Sequence, residues 1–341
     1  GFSIQISPWR RKPLLTGSHM TKLEIIAELG VNHDGEIEKA KRLIDSAQEA
    51  GFDTVKIQVF LPDELAIKTA KLAGYQLSTG HKTQHEMLSE LALSAKQVES
   101  LAVYASNAGI GFLATPFGLS SLDFLCDDLG LDRIKISSGD ITFGQLLKKV
   151  GEKQAGLLLS TGMSSTEEIK LALTTYLLGK RGEPDSKMSY QLIREFNLSE
   201  VPHKELNQIA IMHCTSCYPT DARNANVLAL KSIGRDFPFA ELGFSDHTVD
   251  VTASVMAVAL GASVIEKHLT LDSNARGPDH LSSLDVSESK KFVNSLRSAW
   301  VSKGDGVKTI QNCERETKKI VRRSLYSNRN TRQGEDLSLM A

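Results

Sequence analysis

The sequence of 341 residues has few of the features that mark secreted, membrane-spanning or nucleic-acid-binding proteins. Its four cysteines, Cys126, Cys214, Cys217 and Cys313, are too few and too scattered for a disulfide framework, so we expect a cytoplasmic protein. No apolar run approaches the roughly 20 residues that a membrane span needs. The formal net charge is −1 with both signs interspersed, which argues against nucleic acid or a membrane surface as a partner.

The motif CTSC at residues 214–217 is the cysteine pattern that has a chemical interpretation. A C-x-x-C pair can be a redox centre or half of a zinc site. The sequence has no second pair of this kind, and the motif does not open a helix in a thioredoxin-like context. We therefore interpret these cysteines as incidental.

Both ends of the sequence differ from the pattern between them. GSHM at residues 17–20 resembles the scar left by cleavage of an expression tag, so we predict that residues 1–19 are a leader outside the fold. The basic cluster of this leader follows its apolar residues, unlike that of a signal peptide. Strand–helix alternation stops near residue 304, and residues 305–341 are predicted to be a linker and the start of a truncated small domain.

Between residues 20 and 304, eight short β-rich segments alternate with helical patterns. The segments are LEIIAE, DTVKIQV, IGFLAT, RIKISS, GLLLST, QIAIMHCT, AELGFS and ASVIEKH. Amphipathic stretches such as EIEKAKRLIDSAQEAG separate them, and several of these end in glycine. Eight such repeats over this length predict an α/β fold, a (β/α)8 TIM barrel. A doubly wound open sheet is the alternative, but the first turn, ELGVNHDG, lacks the G-x-G-x-x-G spacing.

Two regions do not fit a minimal barrel. Residues 75–90 lengthen the loop after the second strand, and residues 179–204 form a polar insertion before the sixth. The second insertion is a candidate lid for the site described next.

All eight predicted strands end in a polar or ionisable residue, and the chemistry of a TIM barrel lies at these carboxyl ends. In strand order the residues are Glu28; Lys56 and Gln58; Thr115; Lys135, Ser138 and Asp140; Ser160; His213 and Tyr218; Ser245 and His247; and Glu266 and His268. Residues two apart share one face of a strand, so Lys56 points the same way as Gln58, and Glu266 the same way as His268. A lysine inside the barrel must meet an anion or lose its charge, so we predict a charged site at this end.

His247 and His268 lie at the ends of two successive predicted strands. Neighbouring strands are about 4.8 Å apart, so the two imidazoles can converge on one point. Two imidazoles leave several coordination positions of a divalent ion open, as catalysis requires. Two separately hydrogen-bonded histidines are the alternative, but Glu266, two residues before His268, favours the metal site.

The remaining strand-end groups are typical of an anion-binding site. Lys56 and Lys135 supply positive charge, and the glycines of SSGD and STGM expose backbone amides. Hydroxyl groups come from Ser138, Ser160, Ser216 and Ser245. Together these groups predict a phosphorylated or carboxylated ligand.

Nine motifs resemble the sialic acid synthase family, which makes nonulosonic acids and includes spore-coat polysaccharide and legionaminate synthases. They are IIAELGVNHDG, AGFDTVKIQ, ATPFG, IKISSGD, LSTGM, HCTSCYPT, GFSDHT, GASVIEKHLTLD and GPDH, and the resemblance runs from Ile25 to Glu335. It implies a homodimer whose barrel precedes a small antifreeze-like domain. It also implies a transferase that uses a divalent metal, most often Mn²⁺, with Mg²⁺ or Co²⁺ as alternatives. The implied reaction condenses phosphoenolpyruvate with an N-acylated aminosugar such as N-acetylmannosamine, giving a nonulosonic acid and phosphate for surface polysaccharides.

The resemblance also implies roles for individual residues. His247 and His268 become metal ligands, and Glu28 and Asp140 become the carboxylates that move protons or stabilise a cation, in an order that stays open. The phosphoenolpyruvate contacts become Lys56, Thr115, Lys135, Ser138, Ser160, Ser216 and Ser245. The sugar contacts become Glu28, Gln58, Tyr218 and Asp279. Some members have glutamate at the position of Asp140 and asparagine at that of Ser216.

Two alternative functions stay open at this point. A Schiff-base aldolase would use Lys56, Lys135 or Lys267, but Lys267 should face away from the barrel interior, and such an enzyme has no use for two histidines. The other alternative is a catalytically weakened barrel that binds phosphoenolpyruvate and metal. It follows from the truncated C-terminus, because in the family the small domain closes the partner's sugar pocket with an arginine.

Overall fold

The computed structural model describes residues 22–72, 80–324, 330 and 332–334. Eight parallel strands form a nearly closed barrel, and a short ninth strand lies beside the last of them. The strands are β1 Glu24–Gly30, β2 Thr54–Val59, β3 Gly111–Pro116, β4 Arg133–Ile136, β5 Gly156–Ser160, β6 Ile209–His213, β7 Glu241–Asp246, β8 Val264–Thr270 and β9 Leu284–Asp285. The eight predicted strand segments are confirmed, each within two residues at either end.

Helices alternate with the strands and surround the barrel. They are α1 Ile37–Ala50, α2 Pro62–Leu65, α3 Gln84–Leu91, α4 Ala95–Asn107, α5 Leu119–Asp123, α6 Gly144–Glu152, α7 Thr166–Lys180, α8 Tyr190–Glu195, α9 His203–Leu206, α10 Ala229–Asp236, α11 Thr252–Ala259 and α12 Val286–Ser302. A further helix, α13 Glu314–Val321, belongs to the C-terminal unit that begins at Lys303. Serine or threonine caps with glutamate or glutamine three residues later begin α3, α4 and α7, and they satisfy the free amides of the first turn. No described helix is both long and apolar enough to cross a membrane.

The strand order around the barrel is β3-β2-β1-β8-β7-β6-β5-β4, with β3 and β4 side by side at the seam. The register aligns Glu28 with Lys56 on the β1–β2 ladder and with His268 on the β1–β8 ladder. Ser245 is aligned with Glu266 on the next ladder. Parallel strands with this register bring the polar strand ends of the sequence to one end of the barrel.

The barrel interior is packed in layers and is not a pore. Near the amino ends of the strands, Arg133 donates two hydrogen bonds of 2.6 and 2.7 Å to Glu24, which also accepts one from Thr54 at 2.7 Å. The next layer is apolar and consists of Ile26, Leu113, Leu158, Ala210, Met212 and Val264. The charged strand ends lie above this apolar layer, so water reaches them only from the carboxyl side of the barrel.

The two predicted insertions differ in structure. Part of residues 75–90 forms α3, and residues 73–79 lie outside the described part of the chain. Residues 179–204 pack along α7, where Lys170 Nζ donates to Arg194 O at 3.3 Å and the Arg181 guanidinium lies 5.2 Å from the Phe196 ring centre. The second insertion therefore extends the helical layer.

Parts of both ends of the chain lie outside the described residues. The predicted leader, residues 1–19, lies outside the described residues. Residues from Lys303 onward form a unit separate from the barrel, and α13 is its helix. Most of the predicted small domain also lies outside the described residues, so its truncation stays a prediction.

Two glycines allow α6 and α7 to approach each other closely. A Cβ at Gly151 would overlap the carbonyl oxygen of Tyr176, and one at Gly179 would overlap that of Lys148. Neither glycine has a positive φ, so close approach explains them and turn geometry does not.

We expect Gly151→Ala to lower the free energy of unfolding by about 1–3 kcal/mol, because the added methyl group must separate two backbones. The matched control is Gly144→Ala in the same helix, where the nearest atom is 3.9 Å away and alanine should be neutral or stabilising. Urea denaturation followed by circular dichroism measures both. Equal stabilities would contradict the close packing of α6 on α7.

Candidate active site

A cavity of about 380 Å³ opens at the carboxyl ends of the barrel strands. Thirteen of the fourteen predicted site residues line it, and they come from seven of the eight barrel strands and from the loops that follow them. They are Glu28, Lys56, Gln58, Thr115, Lys135, Ser138, Ser160, Ser216, Tyr218, Ser245, His247, His268 and Asp279. The tertiary structure therefore brings together residues that span some 250 positions of the sequence.

The floor of the cavity is a buried network of two lysines and two glutamates. Lys56 Nζ lies 2.6 Å from Glu28 Oε2 and 3.8 Å from Glu266 Oε2. Lys135 Nζ donates to both oxygens of Glu266, at 2.8 and 2.9 Å. Ser245 Oγ also donates to Glu266, at 2.8 Å. Glu266 therefore links both lysines, and the net charge of the four groups is zero when all are ionised.

The network gives its two carboxyl groups different proton affinities. Burial raises the pKa of Glu28 to about 7, and Lys56 opposes this rise only in part. Burial also acts on Glu266, but Lys135 and Lys56 outweigh it and hold the pKa of Glu266 below its usual range. Burial lowers the pKa of Lys135, whereas the two carboxylates raise that of Lys56 despite burial. One carboxyl group can therefore exchange a proton near neutral pH, while the other stays ionised.

Hydroxyl and backbone groups from β4, β5 and β6 form one side of the cavity. Gly162 N donates to Ser138 Oγ at 2.9 Å. A Cβ at Gly162 would overlap Ser216 Oγ and would lie 3.1 Å from Cys214 Sγ, so only glycine leaves room here. The thiol of Cys214 is buried and lines the cavity, and all four cysteines of the chain are free, as the absence of a disulfide framework predicted.

The two histidines lie together at the ends of β7 and β8, with ring centres 5.7 Å apart. His247 Nδ1 lies 2.7 Å from the carbonyl oxygen of Thr215, so this nitrogen carries the proton, and Nε2, which lies 3.4 Å from Ser245 Oγ, carries the lone pair. His268 Nδ1 is buried without a hydrogen-bond partner among the described residues, and Asp279 Oδ2 is 3.7 Å away. Burial lowers the pKa of His247 to about 4 and that of His268 well below its usual value. Both rings are therefore neutral and available as ligands.

The donor set around the histidines fits a divalent ion. Two neutral imidazoles can supply nitrogen ligands, and the carboxylates of Glu28 and Asp279 line the same cavity. No three His, Cys, Asp or Glu side chains of the described residues already converge as a complete coordination group. An ion held by the two imidazoles alone would have positions open for substrate or water, as a catalytic site requires.

A polar network on the outer face of the barrel holds the strands that carry the two histidines. Lys267, only 1% exposed, donates to Thr248 O and lies 3.4 Å from Asp246 Oδ2. Ser254 Oγ donates to the same oxygen at 2.5 Å. The ammonium group of Lys267 lies 6.0 Å from the Phe292 ring centre in α12, so Lys267 faces away from the interior as predicted.

Three of the four sugar contacts that the family resemblance implies, Glu28, Gln58 and Asp279, lie around Gly30, where the backbone has a φ of +52°. The ring of the fourth, Tyr218, lies 4.3 Å from that of His247, measured between ring centres. Gln58 Nε2 donates to Glu28 Oε1 at 3.3 Å. A Cβ at Gly30 would lie 3.1 Å from Asp279 Oδ2 and 3.3 Å from Glu28 Oε1, so these groups pack closely at this turn. Burial raises the pKa of Asp279 to about 6.

Asp140 is the predicted site residue that the cavity does not include. It lies in a 3-10 turn, Ser138–Asp140, and its carboxylate accepts a hydrogen bond from Ser137 Oγ at 2.6 Å. The three residues before it, Ser137, Ser138 and Gly139, line the cavity, but Asp140 does not. Glu266 is the carboxylate that lies at the centre of the site. The sequence indicated this position, because Glu266 lies two residues before His268 and therefore shares the same face of the strand.

The lid suggested for residues 179–204 is also not supported. No described residue of this insertion lines the cavity, since it packs along α7. His213 lies outside the lining as well, because its ring binds Ala225 O at 3.0 Å. The sequence patterns did not predict that α3 lines the cavity. Its residues Met87, Leu88 and Leu91 do so.

A profile of the NeuB family matches residues 43–308, which is most of the barrel. The chain belongs to the NeuB family. The N,N'-diacetyllegionaminic acid synthase of Campylobacter jejuni is 38% identical to it over 94% of this chain and 89% of that protein. The N-acetylneuraminate-9-phosphate synthase of Mus musculus is 32% identical over 85% of this chain and 74% of that protein.

Solved structures of similar proteins have the same fold as this chain. The spore coat polysaccharide biosynthesis protein SpsE of Bacillus subtilis has a TM-score of 0.66 and 31% identity, covering 85% of this chain and 72% of that one. The N-acetylneuraminic acid synthetase of Leptospira borgpetersenii, solved with citrate, has a TM-score of 0.71 and 26% identity, covering 89% and 93%. The (β/α)8 barrel predicted from the sequence is thus confirmed.

We expect Glu266→Gln to lower the free energy of unfolding of this NeuB-family chain by about 3–5 kcal/mol, because it leaves two buried ammonium groups with one carboxylate. The matched control is Ser245→Ala, which removes one neutral donor to Glu266 and should cost about 0.5–1.5 kcal/mol. Chemical denaturation at neutral pH measures both variants. Equal losses would contradict the electrostatic role of Glu266.

Proposed function

We propose that this chain condenses phosphoenolpyruvate with an N-acylated aminosugar, giving a nonulosonic acid and inorganic phosphate. The observation that carries the proposal is the cavity floor, where two lysines and two glutamates lie beside two neutral histidines. Anion-binding, proton-transfer and metal-binding groups thus border one enclosed space. The named activities of the relatives, as legionaminic acid and N-acetylneuraminate-9-phosphate synthases, support the same reaction class.

Phosphoenolpyruvate would bind over Lys56 and Lys135. These ammonium groups can meet its carboxylate and phosphate, and charge-assisted hydrogen bonds of this kind are the strong ones. The hydroxyl groups available to the same anion are those of Thr115, Ser138, Ser160, Ser216 and Ser245. Their position on the β3–β7 side of the cavity leaves the side next to β1 and β2 for the sugar.

His247 and His268 would hold the divalent ion, for which Mn²⁺ is the first candidate and Mg²⁺ and Co²⁺ are alternatives. When bound there, the ion would polarise the aldehyde oxygen of the open-chain sugar. The hydrogen bond between His247 and the Thr215 carbonyl supports this role, because it orients a ring nitrogen into the cavity.

The reaction forms one carbon–carbon bond and breaks one carbon–oxygen bond. The methylene carbon of phosphoenolpyruvate attacks the aldehyde carbon, and the aldehyde oxygen gains a proton. Water adds to the resulting cationic C2 and loses a proton, which leaves a hydroxyl group on C2. The C2–O bond to phosphate then breaks, and the hydroxyl proton passes to the leaving phosphate, so that C2 becomes a keto group. Glu28, which borders the sugar side next to Gln58, is the group placed to carry these protons. Glu266 would keep its negative charge near the cationic C2.

The two alternative functions have less support. Lys56 and Lys135 are ion-paired ammonium groups, whereas a Schiff base requires a free amine, and Lys267 faces away from the interior. A catalytically weakened barrel remains as an outcome of the first experiment below. A role of Asp140, the homodimer and the cytoplasmic location stay predictions from the sequence.

We expect phosphate release from phosphoenolpyruvate when Mn²⁺ and a suitable aminosugar are present, and its loss on addition of EDTA. The candidate acceptors are N-acetylmannosamine, its 6-phosphate and 2,4-diacetamido-2,4,6-trideoxymannose. A colorimetric phosphate assay measures the release, and mass spectrometry identifies the nonulosonic acid. Binding of phosphoenolpyruvate without release from any acceptor would favour the weakened barrel.

We expect His247→Ala and His268→Ala each to abolish turnover and to weaken Mn²⁺ binding, since each removes one nitrogen ligand. The matched control is His213→Ala, which removes an imidazole from the end of β6, outside the cavity lining. Electron paramagnetic resonance of free Mn²⁺ measures binding independently of activity. Full activity of either variant would refute the metal assignment.

A further inference from the structure

A buried ion pair lies directly behind the two histidines of the site. Asp246 precedes His247 at the end of β7, and Lys267 precedes His268 in β8. The register aligns Asp246 with Lys267 on the β7–β8 ladder, and Lys267 Nζ lies 3.4 Å from Asp246 Oδ2. Successive strand residues point to opposite faces, so the imidazoles face the cavity while the ion pair faces α11 and α12.

The ion pair also fixes the chain on both sides of His247. Asp246 Oδ1 accepts hydrogen bonds from the amide and the hydroxyl group of Thr248, at 2.8 and 2.7 Å. Lys267 Nζ donates to the carbonyl oxygen of the same threonine. Lys267 therefore contacts both chain neighbours of His247, and it belongs to the strand that carries His268.

Stability alone does not explain this ion pair. Asp246 and Lys267 are 0% and 1% exposed, and the attraction between two buried charges often does not offset the cost of taking them out of water. An apolar pair fits the same interface, because Phe244 and Ile265, two residues earlier on the same faces, are aligned with each other and belong to the main hydrophobic core. Apolar packing is non-directional, whereas hydrogen bonds to a carboxylate depend on distance and angle. The ion pair therefore specifies position.

A divalent ion shared by two imidazoles needs such a fixed geometry, because metal–ligand distances vary by only about 0.2 Å. The ring centres of His247 and His268 lie 5.7 Å apart. His247 Nδ1 donates to the Thr215 carbonyl oxygen at 2.7 Å, which orients the ring toward the segment after β6. This bond does not fix the distance to β8. The contacts of Lys267 do so, since they join the two strands next to the histidines.

We propose that Asp246 and Lys267 are positioning residues of the metal site, and that their ion pair holds β7 and β8 at the separation that one ion between His247 and His268 requires. The inference rests on the metal role proposed for the two histidines. It adds two residues that do not line the cavity and act through the histidines. The ion pair should therefore matter more for metal affinity than for folding.

The test uses a double variant, Asp246→Asn with Lys267→Met, which removes both charges and keeps both side chains close to their original size. Because no unpaired charge remains, we expect it to unfold at a urea concentration close to that of the unchanged chain. Electron paramagnetic resonance of free Mn²⁺ should show a dissociation constant raised at least about tenfold. Phosphoenolpyruvate affinity, measured with EDTA present, should not change, because the Ser245–Glu266 hydrogen bond on the inner face remains.

The matched control is Ile265→Val, which removes one methyl group from the same face of β8 and leaves the ion pair intact. It should lower the urea midpoint without changing Mn²⁺ affinity. Unchanged Mn²⁺ affinity of the double variant, an equal loss of Mn²⁺ and phosphoenolpyruvate affinity, or a failure to fold would each overturn the positioning role. His268→Ala separates the two proposals: if it too binds Mn²⁺ as tightly as the unchanged chain, the metal assignment itself is wrong.

Discussion

The site depends on one interaction, the buried pairing of Lys56 and Lys135 with Glu28 and Glu266. An isolated charge in a protein interior is costly, and removal of one partner from a buried pair leaves an uncompensated charge. The four groups are nearly inaccessible to water, with exposures of 1–5%. They are stable there because the parallel register aligns Glu28 with Lys56, and because Glu266 reaches both lysines from β8. The same charges that neutralise one another are the groups to which an anionic substrate would bind.

The network also shows how one site holds two carboxyl groups with different properties. Glu266 lies between two ammonium groups and stays ionised, whereas Glu28 has one close lysine and a pKa near neutrality. The apolar layer of Ile26, Leu113 and Val264 beneath them excludes water from one side, which strengthens each electrostatic interaction. Burial leaves the neighbouring histidines neutral. The two glutamates thus have different proton affinities, because they differ in burial and in the number of lysines close to them.

Much of the fold and most of the site were predictable from local patterns. Strand–helix alternation depends on nearest neighbours in the chain, and the parity of Lys56 with Gln58 or Glu266 with His268 follows from strand geometry. Asp140 lies in a 3-10 turn after β4 and does not line the cavity, and its carboxylate accepts a hydrogen bond from Ser137, so the catalytic role suggested for it stays a prediction. The apolar face of α3 resembled that of any amphipathic helix, and only its position next to β1 makes it a cavity wall.

The sequence by itself determined the barrel, the inward face of each strand and the set of polar groups at the strand ends, because these follow from periodicities of a few residues. Only the tertiary structure decided which of those groups meet. Contacts such as Lys135–Glu266 join residues 131 positions apart, and their distances depend on barrel closure and on the packing of every helix between them. The proton affinities depend on these distances and on burial, so they are properties of the folded chain.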